Sequence, residues 1–294
     1  MTEQVRITVL VENTVYERGL LAEHGLAYWI EVGSQYVLFD TGQGGVLAGN
    51  AFRLKAPLSH VDAVVLSHGH FDHTGALAES LRGARSETIY AHPAALEPKF
   101  ARNQDGTSRE IGIPFPCKQA VQQRRDQWIL TEKPTPVAGG LMVTGPVPRV
   151  TDFEDTGGPF FLDAACQTPD PLVDDQAIYF ESAEGTVVLL GCAHSGVINT
   201  LRYIRELTGG RPIHTVMGGM HLVNASEERL RRTLEELNEM EIGHLGPAHC
   251  TGRAATAALW NALPERCVPC HVGFQLEFDL ATPLRKGASS TGAS

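Results

Sequence analysis

The segment Leu66-Ser67-His68-Gly69-His70-Phe71-Asp72-His73-Thr74-Gly75 constrains this chain more than any other. It gathers His68, His70, Asp72 and His73 directly after the apolar run Val61-Asp62-Ala63-Val64-Val65-Leu66. Imidazole nitrogen and carboxylate oxygen are ligands for zinc, manganese and iron. His68 and His70 stand two residues apart, so in extended backbone they point the same way and can grip one ion. Asp72 and His73 follow, where a turn can aim them at a second ion. Two metals about 3.5–4 Å apart polarise a substrate and generate hydroxide between them.

The second half repeats one plan. Thr186-Val187-Val188-Leu189-Leu190 leads to Gly191-Cys192-Ala193-His194, and Ile213-His214-Thr215-Val216-Met217 leads to Gly218-Gly219-Met220-His221. Ile242-Gly243-His244-Leu245-Gly246 leads to Pro247-Ala248-His249-Cys250. The spacing predicts a helix after each, over 197–207, 226–240 and 254–263. Strands are expected over 5–11, 27–39, 89–92 and 177–180, and helices within 42–56 and over 74–81. Alternating strands and helices imply parallel strands, whose carboxyl ends share one edge where such sheets place ligands. His194, His221 and His249 should therefore converge with the histidines of the first motif. The expected scheme puts His68, His70 and His194 on one ion and Asp72, His73 and His249 on the other. His221 is either a further ligand or the general acid for the leaving group, and Asp72 is a catalytic candidate as well as a ligand. His60, His92, His214, His244 and His271 lack such a context and are read as structural.

Ser195-Gly196 and Thr251-Gly252-Arg253 each lie between a ligand histidine and a helix. Free N–H groups at helix N-termini bind anions, and a hydroxyl or arginine adds charge-assisted contacts. Ser195, Thr251, Gly252 and Arg253 are thus candidate phosphate contacts; the alternative is that Ser195 and Thr251 only cap their helices. A net charge of −10 argues against a broad nucleic-acid surface. It permits an anionic small molecule, because a dinuclear centre brings its own positive charge. No apolar run approaches the roughly 20 residues of a membrane span. Met1-Thr2-Glu3-Gln4-Val5-Arg6 lacks the regions of a signal peptide, so a cytoplasmic location is expected. The cysteines should then be reduced. Cys267-Val268-Pro269-Cys270-His271 matches a haem-attachment pattern that requires export, leaving a zinc or redox clip as its minor alternative. A domain over 1–284 is expected, followed by a flexible tail over 285–294. Within it, the proline-rich stretch 97–170 reads as strands and loops roofing the active site; a loosely ordered insertion is the alternative.

The His-x-His-x-Asp-His run, with Leu38-Phe39-Asp40-Thr41-Gly42 upstream, resembles the signature of the metallo-β-lactamase superfamily. The resemblance implies an α/β protein with a four-layer αββα sandwich and a metal site at one edge of its sheets. Where most members place a bridging aspartate, this chain reads Gly191-Cys192-Ala193-His194. Cys192 or His194 could replace that carboxylate, or Asp174-Asp175 could supply it; Asp40, Asp175 and Cys192 are candidates for the bridge or for support behind the ligands. Gly-Cys-x-His, Gly-Gly-x-His, His-Cys-Thr-Gly and Asp-Asp-Gln together resemble the branch like 7,8-dihydropterin-6-methyl-4-(ribofuranosyl)-aminobenzene-5'-phosphate synthase. The expectation is a hydrolase with two divalent metal ions, zinc first and manganese or iron as alternatives. A metal-bound hydroxide would attack a phosphorylated, pterin-related small molecule. A lactonase or thioesterase, a catalytically silent ligand-binding member and a di-iron redox protein are the alternatives.

Overall fold

A computed structural model describes residues 3–82 and 88–281. The expected tail over 285–294 lies outside the described residues. The first half runs β1 (Gln4–Val11), β2 (Ala27–Val32), β3 (Gln35–Phe39), α1 (Leu47–Leu54), β4 (Ala63–Val65), α2 (Phe71–Thr74), α3 (Leu77–Ser80) and β5 (Thr88–Ala91). Then come β6 (Phe100–Arg102), β7 (Ser108–Glu110), α4 (Phe115–Gln122), β8 (Trp128–Leu130), β9 (Thr135–Pro136), β10 (Met142–Val143) and β11 (Phe160–Phe161). The second half runs β12 (Ala177–Glu181), β13 (Thr186–Leu190), α5 (Val197–Leu207), β14 (Ile213–Gly219), α6 (Glu227–Glu239), β15 (His244–Ala248), α7 (Arg253–Ala262) and β16 (Gln275–Asp279).

One sheet has the order β16-β1-β2-β3-β4-β5-β8 and a second has β15-β14-β13-β12-β10-β9. Alternation along the strands sorts the apolar side chains into three layers. Val37, Phe39, Ala63 and Val65 face Ile178, Phe180, Val187 and Leu189 between the sheets. Leu38 and Val64 turn outward onto Leu47 and Ala51 of α1, Leu77 of α3 and Val121 of α4. Val188, Leu190 and Val216 turn outward onto Ile198, Leu201 and Ile204 of α5, Leu237 of α6 and Leu259 of α7. The result is the αββα sandwich. β13, β14 and β15 are parallel neighbours, so their carboxyl ends lie along one edge. Among the described residues no helix is long and apolar enough to cross a membrane.

Three expectations change in detail. The stretch 27–39 is a hairpin of two strands, because Val32 pairs with Gln35 and Gly33 turns the chain at a φ of 57°. The single helix expected over 74–81 is two short ones, and the first begins at Phe71. Asp72 and His73 therefore sit on the first turn after the extended His70. The stretch 97–170 also divides. β8 extends the first sheet, β9 and β10 extend the second, and only β11-β6-β7 form a separate small sheet.

Candidate metal centre

The strand ends deliver their side chains to one edge through strained backbone. Asp40 after β3, His221 after β14 and His249 after β15 have φ of 61°, 44° and 50°. Left-handed φ at residues other than glycine costs on the order of 1–3 kcal/mol and clusters where function demands a geometry. Close approach matters too: a Cβ on Gly191 would meet Ser67 Oγ at 2.1 Å and Asp40 Oδ2 at 3.2 Å. Only glycine lets β13 end against the network behind the first motif.

That network fixes the imidazoles. Ser67 N–H and Oγ–H donate to the two oxygens of Asp40 at 2.7 and 2.6 Å. Having given its one proton to Asp40, the Ser67 hydroxyl accepts from His68 Nδ1 at 2.9 Å. His73 Nδ1 donates to Asp40 Oδ2 at 2.7 Å. His194 Nδ1 donates to the Thr156 carbonyl at 2.8 Å, and His249 Nδ1 to Asn13 Oδ1 at 2.9 Å. Each of these four rings is thereby pinned as the Nδ1–H tautomer with a lone pair on Nε2, the way metal-binding histidines are held.

The Nε2 sides of these rings converge with His70, whose Nδ1 lies 2.9 Å from His68 Nε2. The rings of His68 and His70, His68 and His194, and His70 and His194 have centroids 4.5, 4.8 and 4.9 Å apart. On the other side, Asp72 Oδ2 lies 3.3 Å from His249 Nε2 and 3.9 Å from His73 Nε2. Both expected triads are thus brought together. Cys192 Sγ lies between them: its candidate ligand clusters are with His68 and His194, with His73 and His249, and with His221 and Cys250, each within 4.8 Å. His70 Nε2 and His194 Nε2 are buried without a hydrogen-bond partner. Orphaned imidazole nitrogens are costly unless something else engages them, and with neighbouring thiol and carboxylate donors this set fits divalent cations.

Electrostatics agree. Burial holds His68, His70 and His194 well below the ordinary histidine value, so they are neutral and ready to coordinate. At His73 burial acts the same way, but Asp40 and Asp72 outweigh it and raise the value. Burial works against charge on Asp72, yet His73, His24 and His249 together hold its carboxyl well below the usual range.

Other expected residues sit behind the cluster or outside it. Asp40 spends both oxygens on Ser67 and His73. Asp174 accepts from Lys99 Nζ and Gly69 N–H at 2.9 and 2.8 Å, fixing the backbone between His68 and His70. Asp175 accepts from Ser195 N–H at 2.8 Å, and burial pushes its carboxyl up to about 6. Ser195 and Thr251 are buried and do not line the cleft. Glu154 occupies the N-terminus of α5, accepting from Ile198 and Asn199 N–H at 2.9 Å each, while Thr251 Oγ1 accepts from Met220 N–H at 3.1 Å. Gly252 and Arg253 do line the cleft. The ring of half-buried His221 packs 4.1 Å from that of His194, tilted by 42°, with Nδ1 unpartnered. Among the described residues neither Cys267 nor Cys270 belongs to a ligand cluster.

Sequence reading missed His24, whose Nε2 lies 3.1 Å from Asp72 Oδ2. It also missed Asn13, Glu12 behind the His249 backbone, Lys99 and Glu154. None stands in a repeated pattern, so nothing in the sequence marks them. Phe160 of β11 packs 5.2 Å from both His70 and His194, so the small sheet leans over the centre. His271, read as structural, lines the cleft beside Tyr16 with ring centroids 4.8 Å apart. The cleft above the cluster has a volume of about 1530 Å³ and carries Arg102, Arg109 and Arg253 on its walls.

Known proteins share this design. The sequence profile of the metallo-beta-lactamase superfamily matches residues 21–249. An uncharacterised protein of Methanocaldococcus jannaschii is 32% identical over 86% of this chain and 93% of its own. The 7,8-dihydropterin-6-methyl-4-(beta-D-ribofuranosyl)-aminobenzene-5'-phosphate synthase of the same organism is 26% identical over 94% of this chain and 97% of its own. The crystal structure of Tm1679, a metal-dependent hydrolase of the beta-lactamase superfamily, is 28% identical and superposes with a TM-score of 0.76 over 92% of this chain and 98% of that one. With its sandwich, its histidine motif and its profile match in agreement, the chain belongs to the metallo-β-lactamase superfamily.

Proposed function

We propose that this protein is a metal-dependent hydrolase of a phosphorylated small molecule, with two divalent cations, zinc foremost, at the edge of the sandwich. The observation that carries the reading is the set of four imidazoles, each pinned through Nδ1 with Nε2 turned toward Cys192 and Asp72. His68, His70 and His194 would hold one cation, and Asp72, His73 and His249 the other. Bound there, such ions supply Lewis acidity and a hydroxide at neutral pH.

The chain's own residues do the rest. Arg253 is exposed at the N-terminus of α7, where no side chain caps the helix, and it makes no ion pair among the described residues. A helix N-terminus with an arginine beside it receives a phosphate in charge-assisted hydrogen bonds. His221 lines the cleft with its Nδ1 buried and unpartnered, and in this reading it donates a proton to the leaving group. Phe160 keeps bulk water from the neighbouring imidazoles. The relative named for a 5'-phosphate product supports a phosphate-bearing, pterin-related substrate. No partner beyond this small molecule, neither nucleic acid nor membrane, enters the proposal, and the location proposed is cytoplasmic.

The test is a panel of phosphomonoesters, phosphodiesters, lactones and thioesters offered to protein reconstituted with zinc, manganese or iron. Phosphoester turnover is expected, with a loss of several orders of magnitude in His70→Ala. Turnover of lactones or thioesters alone would replace the phosphate reading with acyl hydrolysis. Failure of every metal to bind would remove the enzyme reading altogether.

A further inference from the structure

We infer that Cys192 supplies a thiolate shared between the two cation positions, which makes this centre select thiophilic divalent cations such as zinc, cobalt or iron(II) over magnesium and manganese. The inference rests on the metal-centre reading above and sharpens it.

Position carries the argument. Cys192 Sγ belongs to a cluster with His68 and His194 and to another with His73 and His249, and no other residue belongs to both. It lies 3.1 Å from His73 Nε2. The residue is 2% exposed, and it follows Gly191, where no larger residue leaves room for the Ser67–Asp40 network. Two of the carboxylates named as possible bridges are committed. Asp40 is spent on Ser67 and His73, and Asp174 on Lys99 and Gly69. Asp175 accepts from Ser195 N–H through one oxygen and leaves the other buried without a partner, but among the described residues neither Asp174 nor Asp175 has an oxygen in a ligand cluster. A second thiol, Cys250, clusters only with Cys192 and His221, and its S–H donates to the Cys192 carbonyl at 3.6 Å. It therefore supports the Cys192 backbone.

The chemistry follows from ligand softness. A coordinating thiol gives up its proton to solvent and binds as thiolate. Sulfur ligands favour zinc and iron, whereas manganese and magnesium favour oxygen. A carboxylate in the same place would accept both groups of metals.

Cobalt(II) tests this, because a thiolate–cobalt bond absorbs in the near ultraviolet and an imidazole–cobalt bond does not. The full chain, freed of metal by chelation, is titrated with cobalt while bound metal is counted by elemental analysis. A sulfur-to-cobalt band is expected in the wild type and in Cys250→Ser, and its loss in Cys192→Ser. Cys192→Asp is expected to bind cobalt without the band and to narrow the preference for zinc over manganese by about 10–100-fold, the scale on which altered ligand surroundings change affinity. Two cobalt equivalents bound without the band in the wild type would overturn the thiolate and leave the dinuclear reading standing. A band that survives in Cys192→Asp and vanishes in Cys250→Ser would move the ligand to Cys250 and overturn the inference. No cobalt uptake at all would overturn both readings. Should Cys192→Ser fail to fold by circular dichroism, the wild-type spectrum and Cys192→Asp still decide.

Discussion

The units β13–α5 and β15–α7 look alike in sequence and put their helix N-termini to different uses. Each is a buried parallel strand that leads to a histidine of the cluster, followed by a glycine and a helix. At α5 the anion position is filled from within the chain. Glu154 accepts both Ile198 and Asn199 N–H groups, and Thr151 Oγ1 donates to it at 3.1 Å. Gly196 has a φ of 101°, and a Cβ there would meet Glu154 Oε2 at 2.4 Å, so the glycine makes room for this carboxylate. At α7 no side chain among the described residues caps the helix start. Gly252 has a φ of 77°, pressed against Val223, and the helix start with Arg253 and Thr256 opens onto the cleft. One helix end is closed by the chain's own carboxylate, and the other opens onto the cleft. A strand-histidine-helix pattern alone cannot tell these uses apart, because the deciding carboxylate comes from a distant loop.

The largest effect that would break this comparison is at α7. In Arg253→Ala, kcat/KM toward a phosphorylated substrate should fall by about 10–150-fold, the worth of a hydrogen bond to a charged group. Metal content should stay at the wild-type level. Steady-state kinetics beside elemental analysis check this, and an unchanged kcat/KM would show that the open helix end does not receive the substrate. A smaller effect is expected at α5. Glu154→Ala should lower the free energy of unfolding by about 0.5–2 kcal/mol, the usual cost of losing an N-terminal cap. Metal content should again be unchanged. If denaturant titration shows no loss of stability while turnover collapses, Glu154 belongs to the active site and the contrast between the helices fails.

Much of the fold was legible because apolar runs and one helical period carry it. Continuous apolar runs in β4 and β13 mark strands buried on both faces, and the leucines of α6 mark a helix on one sheet. The contiguous candidate ligands were legible for a related reason: His68, His70, Asp72 and His73 are neighbours in sequence, so their spacing alone groups them. His194 and His249 were legible only through the parallel-strand argument, which places strand ends together without measuring distances. What lay beyond reach has one physical cause. Asn13, His24, Lys99 and Glu154 act across long sequence separations, through polar contacts that leave no periodic trace. The phosphate expectation at Ser195 shows the consequence. The local pattern allowed an anion there, and a carboxylate 41 residues upstream had already filled the place.

The smallest expected effect separates the two helices by pH. Burial raises the Glu154 carboxyl above its ordinary value of 4.5, and the N–H groups of Ile198 and Asn199 only partly offset this. In that range the folded protein holds a proton that the unfolded chain has already released. Stability from this group is therefore complete below about pH 4.5 and is lost as pH rises through the raised folded value. Glu154→Gln cannot titrate and lacks this slope. Unfolding free energies of both proteins, measured in denaturant from pH 4.5 to 7 without metal, should show the wild type losing ground to the variant as pH rises. The histidines of the metal centre titrate in both proteins and cancel in the difference. A difference that is flat with pH would mean that the carboxylate at α5 is solvated rather than enclosed. The closed helix end would then be as open to an external anion as α7.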